Sequence, residues 1–366
     1  MHVLITADTV GGVWTYTREL ACGLLDHGHR VTLVSFGGEP TAAQGSWLRR
    51  KNLSFYPTTF PLEWMEEAQP GIDESMRFLE KIVRATRPEL LHLNQFCYGC
   101  LKADVPKLVV AHSDVVSWWR SVHHCDPPRT EWFSWYASVV TEGLHSADAV
   151  VTPSEWMLDA IEEIYGPLPN ARVIHNGRTP TLFRPAEGRT CSVLSVGRVW
   201  DKAKQVSLLL ARDLGIPVRI AGSLRGPEAS AASPLEAVPS ANVRFYGELD
   251  QAQLSKLYSE SAIYVAASCY EPFGLSPLEA ALSRCALVAN DVPVFHELWG
   301  DSALYFQKND PDDLAAVILR FAEQIDLREL YATRAYNRAR SCFTATRMVA
   351  QYEGLYISLV RERSAA

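Results

Sequence analysis

Short runs of apolar residues alternate with longer amphipathic stretches along most of this chain. In its first half the apolar runs at 2–7, 31–36, 90–93, 107–111, 149–152 and 172–175 predict strands. Residues 13–26, 73–87 and 155–165 predict helices, and Ser154 stands where its hydroxyl can cap the last of them. The stretch 177–190 is polar and proline-bearing and reads as a linker. Beyond it the alternation resumes, with strands predicted at 191–196, 218–221, 243–246 and 263–267 and helices at 205–213, 251–259 and 277–283. Residues 227–240, rich in Ala, Ser and Pro, read as a loop or one short helix outside the core, and from Pro311 onward the chain reads as mainly helical. Strands that are apolar throughout are covered on both faces, and strands alternating with helices build parallel sheets. Two such series on either side of a linker predict two doubly wound α/β domains.

Composition narrows the picture without changing it. The 366 residues are enough for two cores, and 48% hydrophobic with 21% charged residues is ordinary for a globular protein. A net charge of -7 argues against non-specific nucleic-acid binding. Residues 1–180 hold 15 Lys/Arg against 21 Asp/Glu, so charge does not indicate a membrane-binding patch, although peripheral membrane contact stays open. The chain opens on a strand-like run, and no apolar run approaches the roughly 18 residues that span a bilayer. A cytoplasmic setting with reduced thiols is therefore expected for the eight cysteines. Cys97 and Cys100 bracket Tyr98 and Gly99 with redox-pair spacing, but no second pair completes a zinc site.

Candidate chemistry sits where strands hand over to helices, the place where open α/β sheets bind ligands. Thr9-Val-Gly-Gly-Val13 follows the first strand, and Gly11 and Gly12 would let a phosphate approach the backbone or would simply make a turn. Arg198, Lys202 and Lys204 follow the first strand of the second half, either as phosphate ligands or as a solvated charge cluster. His112 could bond a sugar hydroxyl or satisfy its own loop, and Asn176 precedes Gly177 in an ordinary turn pair.

The segment EPFGLSPLE (271–279) supplies two carboxylates. Glu271 lies on a strand-end loop with no local structural duty. Glu279 falls three residues after Ser276, with Pro277 between them, which predicts a capping box as well as a ligand role. Asp310-Pro-Asp312 matches a bare Asp-x-Asp metal motif but reads better as a helix start. The aromatic stretch containing Trp118, Trp119, Trp132 and Tyr136 either stacks on sugar rings or anchors buried helices.

Taken in order, Gly11-Gly12, the His112 segment, Val-Thr-Pro-Ser154, His175-Asn176-Gly177, Ser195-Val-Gly-Arg198, Lys204 and EPFGLSPLE resemble the retaining, nucleotide-sugar-dependent glycosyltransferases of family 4 over almost the whole chain. One departure is Trp200-Asp-Lys-Ala-Lys-Gln205, where members of the family commonly show a Lys-Gly pair. Lys204 is matched to the lysine, with Lys202 as the alternative.

The resemblance implies an α/β GT-B fold, in which two Rossmann-like doubly wound domains face an interdomain cleft. Residues 1–180 would form the acceptor side and 181–342 the nucleotide-sugar side, with 343–366 a helix crossing back to the first domain. It implies that Arg198 and Lys204 contact the donor diphosphate, Glu271 the donor-sugar hydroxyls and Glu279 the ribose. Gly12 would approach the diphosphate, and His112 would line the reacting sugar. Gly11, Asn176, Phe273, Gly274 and Leu275 complete the donor set, while Trp118, Trp119, Trp132 and Tyr136 are the acceptor-side candidates.

The implied reaction is retaining, metal-independent sugar transfer from a nucleoside diphosphate sugar to a saccharide, glycoconjugate or small-molecule acceptor hydroxyl. It needs no cofactor and no nucleic acid. A non-catalytic nucleotide-sugar-binding module is the main competitor, and a sugar-nucleotide epimerase a weaker one.

Overall fold

The computed structural model describes residues 1–224 and 242–365, so the loop expected at 227–240 lies outside the described residues. The chain divides into two compact units, one of residues 1–177 together with 345–366 and the other of residues 178–344.

In the first unit, β1 (His2–Asp8), β2 (Arg30–Phe36), β3 (Leu53–Pro57), β4 (Leu90–Leu93), β5 (Lys107–Val110), β6 (Ala149–Thr152) and β7 (Arg172–Val173) form one parallel sheet in the order β3-β2-β1-β4-β5-β6-β7. The pleat sends alternate residues of each strand into different cores. Val3, Ile5 and Ala7 of β1 pack on one face, together with α1 (Gly12–Asp26) and the C-terminal helix, while Leu4 packs on the other. That second face is covered by α2 (Gln69–Thr86), α4 (Glu131–His145), which follows α3 (Val115–His123), and α5 (Glu155–Tyr165). Ser154 caps α5 by accepting the Met157 N–H at 3.2 Å.

The second unit has a parallel sheet built from β8 (Thr190–Val196), β9 (Val218–Ala221), β10 (Val243–Phe245), β11 (Ser261–Ala266), β12 (Ala286–Asn290) and β13 (Ala303–Phe306), in the order β10-β9-β8-β11-β12-β13. Its described helices are α6 (Val206–Leu210), α7 (Gln251–Glu260), α8 (Leu275–Leu282), α9 (Pro293–Trp299), α10 (Pro311–Glu323) and α11 (Ile325–Cys342). Asp310 caps α10 by accepting the N–H groups of Asp312 at 2.8 Å and Asp313 at 3.1 Å, so the Asp-x-Asp pattern is spent on a helix start. The helix expected at 205–213 is shorter and runs from Val206 to Leu210.

The chain re-enters the first unit at α12 (Ala345–Ala365), which buries Met348, Val349, Tyr352, Tyr356 and Leu359 against α1 and the sheet. The expected linker is not wholly solvated, because Arg178 is completely buried in the second unit.

Two glycines let α4 lie against the turn at Phe96–Cys100. A Cβ on Gly143 would come within 1.9 Å of the Phe96 carbonyl oxygen, and one on Gly99 within 2.0 Å of the Gly143 oxygen. Both collisions are with backbone, which yields less readily than a side chain. Gly143→Ala should therefore destabilise the first unit by roughly 1–3 kcal/mol, as overpacked cores do. Chemical denaturation that detects no loss would refute this close approach.

Candidate functional site

Every strand of the second unit runs parallel, so its loops after β8, β11 and β12 emerge at the same edge of the sheet. After β8 the chain passes Gly197 to Arg198, whose guanidinium donates to Asp201 Oδ2 at 2.8 Å and lies 5.3 Å from the Trp200 ring centre. Asp201 also accepts the Ala203 N–H at 3.0 Å and so shapes the turn that carries Lys204. With Lys204 matched to the lysine of the family's Lys-Gly pair, Gln205 stands in the glycine's place and takes the left-handed conformation there (φ 47°).

Lys204 reaches the loop after β11, where its Nζ lies 2.5 Å from Glu271 Oε2. Ser268 donates to the same oxygen at 3.3 Å. The two loops are fastened by the Cys269 N–H, which donates to the Ala203 carbonyl at 2.9 Å. Beneath them Asn290, at the end of β12 and fully buried, donates to the Ala267 carbonyl and to the Asn309 side chain. Lys202 is exposed, so of the two lysines only Lys204 meets the glutamate.

Glu279 departs from the sequence expectation. The helix begins two residues earlier than expected, at Leu275, with Gly274 at its N-cap in the left-handed region (φ 87°). Ser276 and Glu279 thus lie inside α8, and no capping box forms. The cause is Gly274, which reaches a backbone angle that a serine N-cap would not adopt. Glu279 is instead buried, with Oε1 2.8 Å from Nε of Arg178. Arg178 also donates to Gln251 Oε1 at 2.5 Å and lies 5.1 Å from the Phe183 ring centre. Phe273 turns its ring into the core, edge-on to Phe343 at 5.4 Å, while Leu275 opens the helix.

In the first unit Gly11, with φ 86°, precedes an α1 whose N-terminus has no side-chain cap, and both Gly11 and Gly12 are exposed. Asp8 Oδ1 accepts the Val10 N–H at 2.6 Å and steadies that loop. His112, just after β5, has Nε2 2.8 Å from Asn94 Oδ1 and stands edge-on to Tyr16, with ring centres 4.5 Å apart. Burial pushes its imidazole down to about 3, and it does the same to His92, which lies 3.2 Å from the same Asn94 oxygen. Asn176 is buried, and among the described residues its Oδ1 has no hydrogen-bond partner.

The aromatic candidates separate. Tyr136 is buried and donates to Asp114 at 3.1 Å, an anchoring arrangement that leaves no ring face to a ligand. Trp132 is partly exposed and fixed by its Nε1 on the Met65 carbonyl at 3.0 Å. Trp118 and Trp119 are partly exposed on α3, and Trp119 packs on Phe133 of α4 at 5.2 Å. Cys97 is buried and donates to Glu63 Oε2 at 3.4 Å, and burial raises its thiol well above the usual range, opposite to what a reactive thiolate needs.

Sequence reasoning missed Asn94, His92 and Arg178. The first two could have been found, since the period-2 pattern of His92-Leu93-Asn94 sends both side chains to one face at a strand end. Arg178 gave no such signal, because its partner lies a hundred residues away.

Removing the guanidinium by Arg178→Met strands a buried carboxylate and should cost about 3–5 kcal/mol, whereas the double variant with Glu279→Leu should recover most of it. A double variant no more stable than Arg178→Met would show that the stranded carboxylate is not the source of the loss. The histidines predict a pH effect of definite sign. With His112 and His92 lowered from 6.5 to about 3, the unfolded chain binds protons that the folded chain refuses. Their contribution to stability is whole above pH 6.5 and is lost as pH falls toward 3. His112→Gln should flatten that fall relative to the unaltered chain in denaturation midpoints measured across the window. Identical slopes would contradict it.

Among the described residues, no group of three or more His, Cys, Asp or Glu is placed to hold a metal ion, and no helix is long and apolar enough to cross a membrane. Comparison with known proteins places this geometry in a family. The model of Glycosyltransferase Family 4 matches residues 10–181, and that of Glycosyl transferases group 1 matches residues 192–338. Glycogen synthase of Mycobacterium tuberculosis is 25% identical over 281 residues, 71% of this chain and 66% of that protein, so the match spans just under two thirds of the relative. Phosphatidyl-myo-inositol mannosyltransferase of Mycolicibacterium smegmatis is 28% identical over 195 residues, about half of each chain.

Among solved structures, sucrose-phosphate synthase from Thermosynechococcus elongatus superposes with a TM-score of 0.83 at 20% identity, over 99% of this chain and 100% of that one. Anabaena HepE in complex with UDP-glucose superposes with a TM-score of 0.77 at 16% identity, over 98% and 100%. The two parallel α/β units are those of the GT-B fold. With both family models matched in order along the sequence, the chain belongs to the glycosyltransferases of the family 4 type.

Proposed function

We propose that this protein transfers a sugar from a nucleoside diphosphate sugar to an acceptor hydroxyl with retention of anomeric configuration. The observation that carries the reading is the contact of Lys204 with Glu271 across two strand-end loops, with Nζ 2.5 Å from the carboxylate. A lysine and a carboxylate so arranged can separate toward two parts of one ligand. The diphosphate draws the ammonium, and the released carboxylate accepts hydroxyl protons from the sugar. Arg198, held by Asp201 at 2.8 Å and partly exposed, is a second cation able to move onto a phosphate.

Gly274 and Leu275 offer the start of α8 to the same ligand, and Glu279 is assigned to the ribose. Negative charge grows on the leaving diphosphate as the glycosidic bond breaks, and fixed cations there stabilise the transition state more than the ground state. The leaving phosphate helps take the acceptor proton. No carboxylate is assigned as a nucleophile.

In this reading Gly11, Gly12 and His112 of the first unit serve the diphosphate and the reacting sugar, and Asn176 belongs to the donor set. Trp118, Trp119 and Trp132 face the acceptor. A cytoplasmic setting, with peripheral membrane contact where the acceptor requires it, goes with the assignment. HepE was crystallised with UDP-glucose, which makes a uridine diphosphate sugar the first donor to try.

Arg198→Ala and Lys204→Ala should each lower donor turnover by about 10²–10³-fold, the usual loss on removing one transition-state donor. Their unfolding midpoints should stay near that of the unaltered chain. The assay is a panel of UDP-, GDP- and ADP-sugars with and without chelator, followed by acceptor screening with product mass and anomeric configuration. Full turnover in either variant removes that residue from the mechanism. Donor binding without acceptor-dependent turnover would establish the binding-module alternative, and isomerised donor without acceptor consumption an epimerase.

A further inference from the structure

In the first unit a polar chain leads to His112, and its other members lie outside the motifs that carry the family resemblance. Asn94, at the end of β4, donates from Nδ2 to the Thr6 carbonyl of β1 at 2.6 Å. A backbone carbonyl can only accept, so this bond fixes which end of the amide is nitrogen. Asn94 Oδ1 must then face the two imidazoles, His112 Nε2 at 2.8 Å and His92 Nε2 at 3.2 Å. That oxygen too can only accept, so each histidine must bring its proton on Nε2. On the far side of His92, Nδ1 lies 2.7 Å from the Tyr356 hydroxyl of α12, which is left to donate into it. Tyr16 stands edge-on to His112 and lies 3.2 Å from His92 Nε2, closing the cluster.

His112 keeps a partly exposed edge, and among the described residues its Nδ1 has no partner. We propose that Asn94 is a positioning residue that holds His112 in the Nε2–H tautomer, so that His112 presents Nδ1 to a ligand hydroxyl as a pure hydrogen-bond acceptor. The identity of that ligand as a sugar rests on the function proposed above, whereas the tautomer does not. The consequence is selectivity. An acceptor-only nitrogen takes a hydroxyl proton and disfavours a ligand that offers only a lone pair or a hydrogen at that place. Burial keeps the ring neutral in ordinary buffers, with His112 pushed down to about 3, so the choice of tautomer decides what it offers.

Long-range proton–nitrogen NMR of the full ¹⁵N-histidine-labelled protein reads the tautomer directly and independently of turnover. The unaltered chain should show His112 neutral, with its proton on Nε2, across about pH 5–8, the window in which a free histidine titrates. A proton on Nδ1 there, or a doubly protonated ring, overturns the proposal. Asn94→Leu removes the accepting oxygen and should give a mixture of tautomers at His112. An unchanged spectrum in a folded variant overturns the role of Asn94.

Asn94→Asp keeps an acceptor and adds charge, so it should keep the Nε2 proton and move His112 titration to higher pH. An unchanged titration again refutes the contact, and this variant decides the matter if Asn94→Leu does not fold. In the donor assay Asn94→Leu should lower kcat/KM by about tenfold, the scale of one neutral hydrogen bond. Affinity for the nucleoside diphosphate alone should hold within about twofold, because the phosphate ligands are untouched. Altered tautomers with unaltered turnover would refute the ligand-hydroxyl contact. Absence of turnover in every form, with the spectra as expected, would refute sugar transfer and leave Asn94 as the residue that sets the tautomer.

Discussion

Parallel strands covered on both faces leave a chain little freedom in where to put polar chemistry. Their side chains are committed to two cores, as Val3, Leu4 and Ile5 show by packing alternately on opposite faces of β1. Polar groups with work to do must wait for the strand to end. All strands of a unit run the same way, so those ends share one edge. Asn94 and His112 meet because β4 and β5 are neighbours, and Lys204 meets Glu271 because β8 and β11 are. Residues 67 positions apart become hydrogen-bonded through that constraint.

At these edges, charge is held in reserve as internal pairs. Lys204 rests on Glu271 and Arg198 on Asp201, so neither cation is left to repel its neighbours. Asp201 is buried, and the side chains of Lys204 and Glu271 are only 20% and 16% exposed. A ligand that drew either cation away would have to replace what the carboxylate loses, as the donor proposed above would do for Glu271 with its sugar hydroxyls. The loops beneath them are held by the Cys269–Ala203 backbone bond and by the buried amide of Asn290. A rigid base carrying exchangeable charges suits a ligand that must enter and leave at every turnover.

What the sequence made legible follows the same physics. Strands with uninterrupted apolar runs, such as β6 and β11, were readable because nothing else explains such runs. The cap at Ser154 was readable because its chemistry is local. β3 escaped because an edge strand is only half buried, and its LSFYP does not announce two covered faces. Arg198, Lys204 and Glu271 could be picked out by their place after strands, but their pairing is a tertiary fact. The start of α8 was misplaced because Ser276-Pro277 imitates a cap, while the residue in control was Gly274 with its positive φ. Local signals therefore failed where two of them competed, and long-range pairs such as Arg178 with Glu279 left no local signal at all.

That pair bears on the role of Glu279. With its capping duty gone, the carboxylate is buried against an arginine that is itself wholly enclosed. Taking two such charges out of water costs nearly as much as their attraction returns, and well-packed apolar residues often serve stability equally well. Stability alone is therefore a weak reason to place an ion pair there. A carboxylate that took the ribose contact proposed above would need a fixed position, and the arginine beside it supplies one. Arg178 also contacts Gln251 of α7 and the Phe183 ring, so the position of Glu279 is set by groups outside its own helix. The burial that first looks like a structural explanation of Glu279 is thus equally the support that a ligand-binding carboxylate requires.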